Sequence, residues 1–238
     1  MTLGIHPYHA SELYAEPEAW ATLVSLANTL PTRDGSCVVA FGEIGLDYFY
    51  LNKASKEDQQ RAFKEQLELA TTLDLPLFLH IRDSHQDFVE IIKPYLPRLP
   101  RRGVVHSFTG NADQMQELVD LGFDISVCGI SFTTAEQLEM VKEIPLDRLH
   151  LESDAPWCEI PSTPQINGLL QSAPSLPPSQ KPKNYVSGHM VQGRNESCTI
   201  NRVALVVAGI KDLALDTVAN AAWQNSLRMF KLHDTVDN

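Results

Sequence analysis

The sequence predicts a parallel α/β fold, on three observations. Short apolar runs alternate with helical patterns along most of the 238 residues. Most runs are continuous rather than alternating, as strands covered on both faces require. Strand followed by helix recurs about every 20–37 residues, which is the spacing of a βα unit.

Six runs read as strands: TLGI (2–5), VVAFGEIGL (38–46), PLFLHI (76–81), GVVHSF (103–108), FDISVCGI (123–130) and RLHLES (148–153). Between them, Ser55 with Asp58 has the pattern of a capping box, and Phe63, Leu67 and Ala70 then recur on one helical face. Ser84 with Asp87 repeats that start before Phe88, Ile91, Ile92 and Tyr95. Asn111 is expected to cap a helix carrying Met115, Leu118 and Val119, ended by Gly122 in a left-handed position. Thr134 opens a helix with Leu138 and Val141 that stops before Pro145. A long helix from Asp216 to Leu232 is expected to bury Val218, Ala222 and Phe230. Six prolines between Pro161 and Pro182 predict an irregular loop over 161–187, inside a single domain covering 1–238.

Composition narrows the function. The apolar share of 43% suffices for a sizeable core. No apolar run approaches the ~20 residues that span a bilayer, and MTLGIHPYHA lacks a secretory pattern, so no membrane partner is expected. The four cysteines show no CxxC spacing, which points to reduced thiols in the cytoplasm or nucleus. A net charge of −11 argues against a broad nucleic-acid groove.

Along four of these runs, the stretches VVAFGE, LPLFLH, GVVH and LHLESD end on a side chain able to bind a metal: Glu43, His80, His106 and Asp154. Parallel strands bring their carboxyl ends to one face, where barrel active sites form. Two imidazoles and two carboxylates suit Zn²⁺, Mn²⁺, Fe²⁺ or Mg²⁺. Singly, each has an ordinary alternative: a hydrogen-bonded histidine, an ion-paired glutamate, an aspartate in a turn.

GEIGLDY (42–48), LHIR (79–82), VVHSFTG (104–110) and LESDAPW (151–157), in this order, resemble the TatD family of metal-dependent deoxyribonucleases, its eukaryotic members most closely. GIHP (4–7), and GRNES (193–197) followed by a helix with Asn225 and Phe230, extend the likeness over essentially the whole chain. The resemblance implies a TIM (β/α)8 barrel of the metal-dependent hydrolase type. It also implies hydrolysis of DNA phosphodiester bonds, expected from an end and on single strands, with two Mg²⁺ ions, or Mn²⁺ or Zn²⁺ in their place. Glu43 matches the carboxylate shared by the ions, His80 and His106 match histidine ligands, and Asp154 matches an acidic ligand that also takes the proton of the attacking water. The substrate-binding candidates are His6, Arg82, Arg194 and Trp157. His6 matches the histidine of the family's GxHP motif and is expected to touch phosphate or metal, and Arg194 matches the RNE segment expected to support the site. Arg82 lies two positions past His80 within reach of a phosphate oxygen, and Trp157 offers a face to a base. A capped loop histidine, a structural ion pair and plain packing are the alternatives for His6, Arg194 and Trp157. The family pattern has two βα units ahead of the GIHP segment, so six strands are expected where a closed barrel has eight. Weak metal binding and slow cleavage are the corresponding expectation. Two other functions stay open: a hydrolase of another ester, amide or phosphate, and an inactive truncated barrel serving as a binding module. No protein partner is inferable.

Overall fold

The computed structural model describes residues 1–29 and 37–232. They fall into two compact units, one of Met1–His106 with Gln116–Asp124 and the chain from Ser226, the other of Ser107–Met115 with Ile125–Asn225. In chain order the first elements are β1 (Thr2–Leu3), α1 (Ala10–Ala15), α2 (Pro17–Asn28), β2 (Ala40–Asp47), α3 (Lys56–Ala70), β3 (Leu77–Arg82), α4 (His85–Ile92) and β4 (Gly103–Val105). After them come α5 (Ala112–Asp120), β5 (Asp124–Val127), α6 (Ala135–Glu143), β6 (Leu149–Leu151), α7 (Pro164–Leu169), β7 (Ser179–Gln180), β8 (Met190–Val191), α8 (Ile200–Lys211) and α9 (Leu215–Phe230).

All six expected strands form. In the first unit β1, β2, β3 and β4 pair in that order, every pair parallel. In the second, β5 pairs parallel with β6 through Ile125↔Leu149 and Val127↔Leu151. Several strands stop short of their apolar runs because the backbone turns left-handed just beyond them, at Ser107 (φ 45°) and Asp154 (φ 51°).

Strand β3 departs from the continuous pattern. Leu77, Leu79 and Ile81 are buried, whereas Phe78, His80 and Arg82 share the other, partly open face. Under the strands of the first unit, Phe63 of α3 stacks on Phe88 of α4 at 5.0 Å between centroids, both with no exposed surface. Each such side chain contributes about 1.5–3 kcal/mol by burial. In the second unit Ile125, Val127, Phe132, Val141, Val206 and Val207 are the counterpart apolar side chains, none more than 1% exposed.

The helix starts differ in detail from expectation. Ser55 caps α3 by accepting from the Asp58 N–H (3.1 Å), but the Asp58 carboxylate does not reciprocate and instead accepts from Ser11 Oγ (2.6 Å). Ser84 does not cap α4, since its hydroxyl donates to the Leu46 carbonyl at 3.0 Å. Asn111 with Gln114, and Thr134 with Gln137, form full reciprocal caps. Gly122 takes φ +92°, as its place after α5 requires. The proline-rich stretch is irregular except for the six residues of α7, β7 and a short 3₁₀ turn. Pro164 opens α7 at a position that needs no N–H, and Thr163 Oγ1 accepts from Ile166 N–H at 3.2 Å, so proline here starts a helix rather than forbidding one. In α9, Val218 and Ala222 are buried, while Phe230 is only half-buried.

Candidate metal centre

Strand β2 places Glu43 by an irregularity. Its register with β3 passes from Gly42↔Phe78 directly to Ile44↔Leu79, so Glu43 is an extra residue whose side chain the bulge re-aims. The bulge needs Gly42, which has φ +155° and where a Cβ would stand 2.1 Å from the Phe78 carbonyl oxygen. His80 leaves β3 on its open face and brings Nδ1 to 2.6 Å from Glu43 Oε1. His106 follows β4, held by its N–H donating to the Leu79 carbonyl (2.8 Å), and its Nε2 lies 3.8 Å from the same Glu43 oxygen. His6 Nε2 approaches that oxygen to 3.4 Å. Phe78 lies against the His106 ring at 4.9 Å.

The second nitrogen of His80 is also held: Nε2 is 2.8 Å from Asp47 Oδ2, and the Asp47 side chain has no exposed surface. A ligating histidine characteristically has its other nitrogen held in this way by a carboxylate. Burial by itself would raise Glu43 and Asp47 and lower His80. Hydrogen bonds override it: those of His6 and then His80 hold Glu43 below its ordinary range, that of His80 holds Asp47 below its own, and the two carboxylates raise His80. Side-chain atoms of His6, Glu43 and His80 all lie within 4.8 Å of one another, and the Glu43 oxygen with the His80 and His106 nitrogens beside it is a nitrogen–oxygen set that fits a divalent cation.

Two buried glutamines of α3 fix this geometry. Gln59 accepts from the Asp47 N–H (2.7 Å) and donates to the Asp47 carbonyl (2.8 Å). Gln66, two turns on, does the same for Ile5, next to His6, at 2.7 and 3.1 Å.

The second unit holds Asp154. It stands with Cys128 and Cys158, their ligand atoms again all within 4.8 Å of one another. The Cys158 thiol donates to Asp154 Oδ2 at 3.0 Å. The interaction between the two sulfurs holds Cys128 below its ordinary pKa and pushes Cys158 well above it, with burial adding to the latter. Nearby, the Glu152 carboxylate accepts from Ser107 N–H, Ser107 Oγ (2.9 Å) and Ser126 Oγ (2.6 Å).

The family model described as TatD related DNase matches residues 1–231. The chain belongs to the TatD family. It is 41% identical over 233 residues to the deoxyribonuclease Tat-D of Schizosaccharomyces pombe, an alignment covering 96% of this chain and 73% of that protein. It is 36% identical over 234 residues to the 3'-5' ssDNA/RNA exonuclease TatD of Erwinia billingiae, covering 97% and 77%. Among solved structures, a TatD-family hydrolase from Entamoeba histolytica superposes with a TM-score of 0.83 at 32% identity, over 96% of this chain and 73% of that one. The fold class is accordingly that of the TatD barrel hydrolases, and its parallel βα series is the one the sequence predicts.

On this TatD chain the predicted residues separate as follows. Glu43, His80, His106 and His6 come together in the first unit. Arg82 lies beside them in sequence but stacks its guanidinium over Phe49 and Tyr50, 4.2 and 5.2 Å from the centroids. In the second unit Trp157 is 70% exposed, so it does not serve packing. Arg194, also exposed, lines a cleft of about 700 Å³ with Pro156, Tyr185 and Asn195. Asn195 is the buried member of its segment: its amide donates to Ser153 O (2.7 Å), and its backbone N–H donates to Pro156 O (2.9 Å). The sequence pattern that points to the other site residues does not mark Asp47, Gln59, Gln66 and Glu152. The two glutamines carry a signal there, since they share a helical face with Ala62, Phe63 and Ala70. Among the described residues, no helix is long and apolar enough to cross a membrane.

Proposed function

We propose that the protein is a divalent-metal-dependent deoxyribonuclease that hydrolyses DNA phosphodiester bonds from a strand end. The observation that carries this reading is the convergence of His80 and His106 on Glu43, with the far nitrogen of His80 held by buried Asp47. The ligands are Glu43, His80, His106 and Asp154, within a single TatD-like domain over 1–238. The cation is Mg²⁺, as a pair of ions, with Mn²⁺ or Zn²⁺ as substitutes. When bound, it supplies charge stabilisation for the attacking and leaving oxygens and a more acidic water.

The chain's own groups do the rest. Asp154 takes the proton of the attacking water at a carboxylate oxygen. His6 accepts from the Tyr8 N–H through Nδ1 at 3.1 Å, which leaves its proton on Nε2, aimed at Glu43 and available to a phosphate oxygen. Arg82, steadied on the exposed Phe49 ring, presents a guanidinium to phosphate beside an aromatic face for a base. Trp157 and Arg194 offer the same pair of chemistries in the second unit. The substrate is DNA, as single strands or strand ends. Four free thiols support a reducing compartment, cytoplasm or nucleus.

Labelled single-stranded DNA incubated with Mg²⁺, with EDTA, and with the Glu43→Gln protein tests the reading. Shortening from one end with Mg²⁺ alone is expected. Equal cleavage in EDTA, or full activity of Glu43→Gln, overturns it.

A further inference from the structure

The proposed nuclease centre makes no use of the two sulfurs beside Asp154. They arrive from separate elements: Cys128 at the end of β5, with no exposed surface, and Cys158 in the loop after β6. The loop is pressed onto Gly129, where a Cβ would meet the Cys158 carbonyl oxygen at 2.0 Å, so only glycine lets the two segments approach this closely. Asn195 holds the loop from its other side through Ser153 and Pro156. Two thiols and a carboxylate are thereby fixed at one point.

We infer that Cys128, Cys158 and Asp154 form a second cation site, selective for a thiophilic ion of the Zn²⁺ or Cd²⁺ class. A tetrahedral ion with bonds of about 2.3 Å to sulfur and 2.0–2.2 Å to oxygen sets its donors about 3.6–3.8 Å apart. The three donor atoms already lie within 4.8 Å of one another, with Cys158 Sγ and Asp154 Oδ2 at 3.0 Å, so shifts of about an ångström complete the geometry. Three protein donors leave a fourth position for water. Hard Mg²⁺ takes oxygen ligands and keeps its waters, so it gains nothing from the sulfurs. Binding replaces the two thiol protons by two metal–sulfur bonds and releases both protons to solvent. Through the nuclease reading, on which this consequence alone rests, an ion held here engages the same Asp154 that hydrolysis requires.

The test uses the full chain carrying Cys37→Ser and Cys198→Ser, because those two thiols are exposed and a thiolate is itself a soft metal ligand. It is titrated with Co²⁺ without oxygen, and absorbance is read. One equivalent is expected to give a thiolate-to-cobalt charge-transfer band with tetrahedral d–d bands. The charge-transfer band should persist in excess Mg²⁺ and in His80→Ala, and vanish in Cys158→Ser. Cys158 is half-buried, so its serine variant is expected to fold, and a thermal melt of that variant confirms it; Cys158→Ala provides the same test should it not. No charge-transfer band, a band that Mg²⁺ removes, or a band that survives loss of the Cys158 thiol overturns the inference. None of these readings depends on DNA cleavage, so failure here is distinct from failure of the nuclease reading.

Discussion

His80 Nε2 sits 2.8 Å from the Oδ2 atom of Asp47, a carboxylate with no exposed side-chain surface. That bond turns the opposite nitrogen of the ring toward Glu43 and strengthens it as a donor. Asp47→Asn keeps the volume but removes the charge, and is expected to weaken Mn²⁺ binding about 10–100-fold, the usual loss when such a supporting group is removed. Isothermal titration of the two proteins measures it. Equal affinities would show that Asp47 does not tune the site.

How much of this was legible in the sequence depends on the kind of contact. His80 and His106 stand out because apolar runs lead up to them, and the strand order brings them together. Glu43 lies inside β2 rather than at its end, and the bulge there, not a strand end, aims it at them. Asp47 lies in the same segment as Glu43, yet nothing in the spacing says that it points at the far side of His80; the bulge at Glu43 decides that, and a bulge leaves no pattern in one sequence. The Cys128–Cys158 approach depends on backbone meeting backbone at Gly129, which sequence separation hides. Proline density misled over 161–187 because Pro164 falls at the one helical position that tolerates it.

His6 and His80 both face Glu43, but their protons differ in place. His6 Nδ1 accepts from the Tyr8 N–H, so Nε2 carries the hydrogen and donates rather than ligates. A hydrogen bond to a charged group is worth about 1.5–3 kcal/mol, which corresponds to about 10–100-fold in rate. His6→Ala is therefore expected to lower kcat by that factor, while Mn²⁺ affinity in calorimetry changes far less. Abolished Mn²⁺ binding would make His6 a ligand and refute the assignment.

The metal-free protein should have a stability plateau set by the same cluster. His80 is raised above its ordinary 6.5, so its contribution is full below that pH and is lost as pH rises through the raised value. Glu43 and Asp47 are lowered from 4.5 and 3.8, so theirs is present above those values and lost as pH falls through the lowered ones. In EDTA, Tm should be highest between about pH 5 and the raised His80 value, and fall on either side. His80→Ala should flatten the alkaline fall. A metal-free Tm that climbs steadily from about pH 7 to 9 contradicts the argument.

Gln66 extends the argument from charge to backbone. Its amide satisfies both polar groups of Ile5 from a buried position on α3, and in doing so fixes the segment that carries His6. Gln66→Ala leaves the Ile5 N–H and carbonyl without this partner, at about 1–3 kcal/mol for each group that water does not reach. Urea unfolding should show a lower midpoint at unchanged slope. An unchanged midpoint would mean that water replaces the amide.

Arg194 and Asn195 are neighbours with opposite expected behaviour. Arg194 is exposed and lines the cleft with Tyr185, so Arg194→Ala should leave stability within about 0.5 kcal/mol and raise KM for DNA. Asn195 is 4% exposed, and its side chain donates to Ser153 O while accepting from Glu196 N–H and Thr199 Oγ1. Asn195→Ala strands several buried groups and should cost about 2–3 kcal/mol. Asn195→Asp preserves the accepting oxygen but sets a carboxylate against the Ser153 carbonyl, so it should recover little of that loss. Because Asn195 also anchors the loop between Ser153 and Cys158, both variants should weaken the thiolate–cobalt band, whereas Arg194→Ala should not. Denaturant midpoints and Co²⁺ titrations on the three proteins separate the two roles. Equal stability losses at 194 and 195 would show that the burial of Asn195 is not what holds this loop.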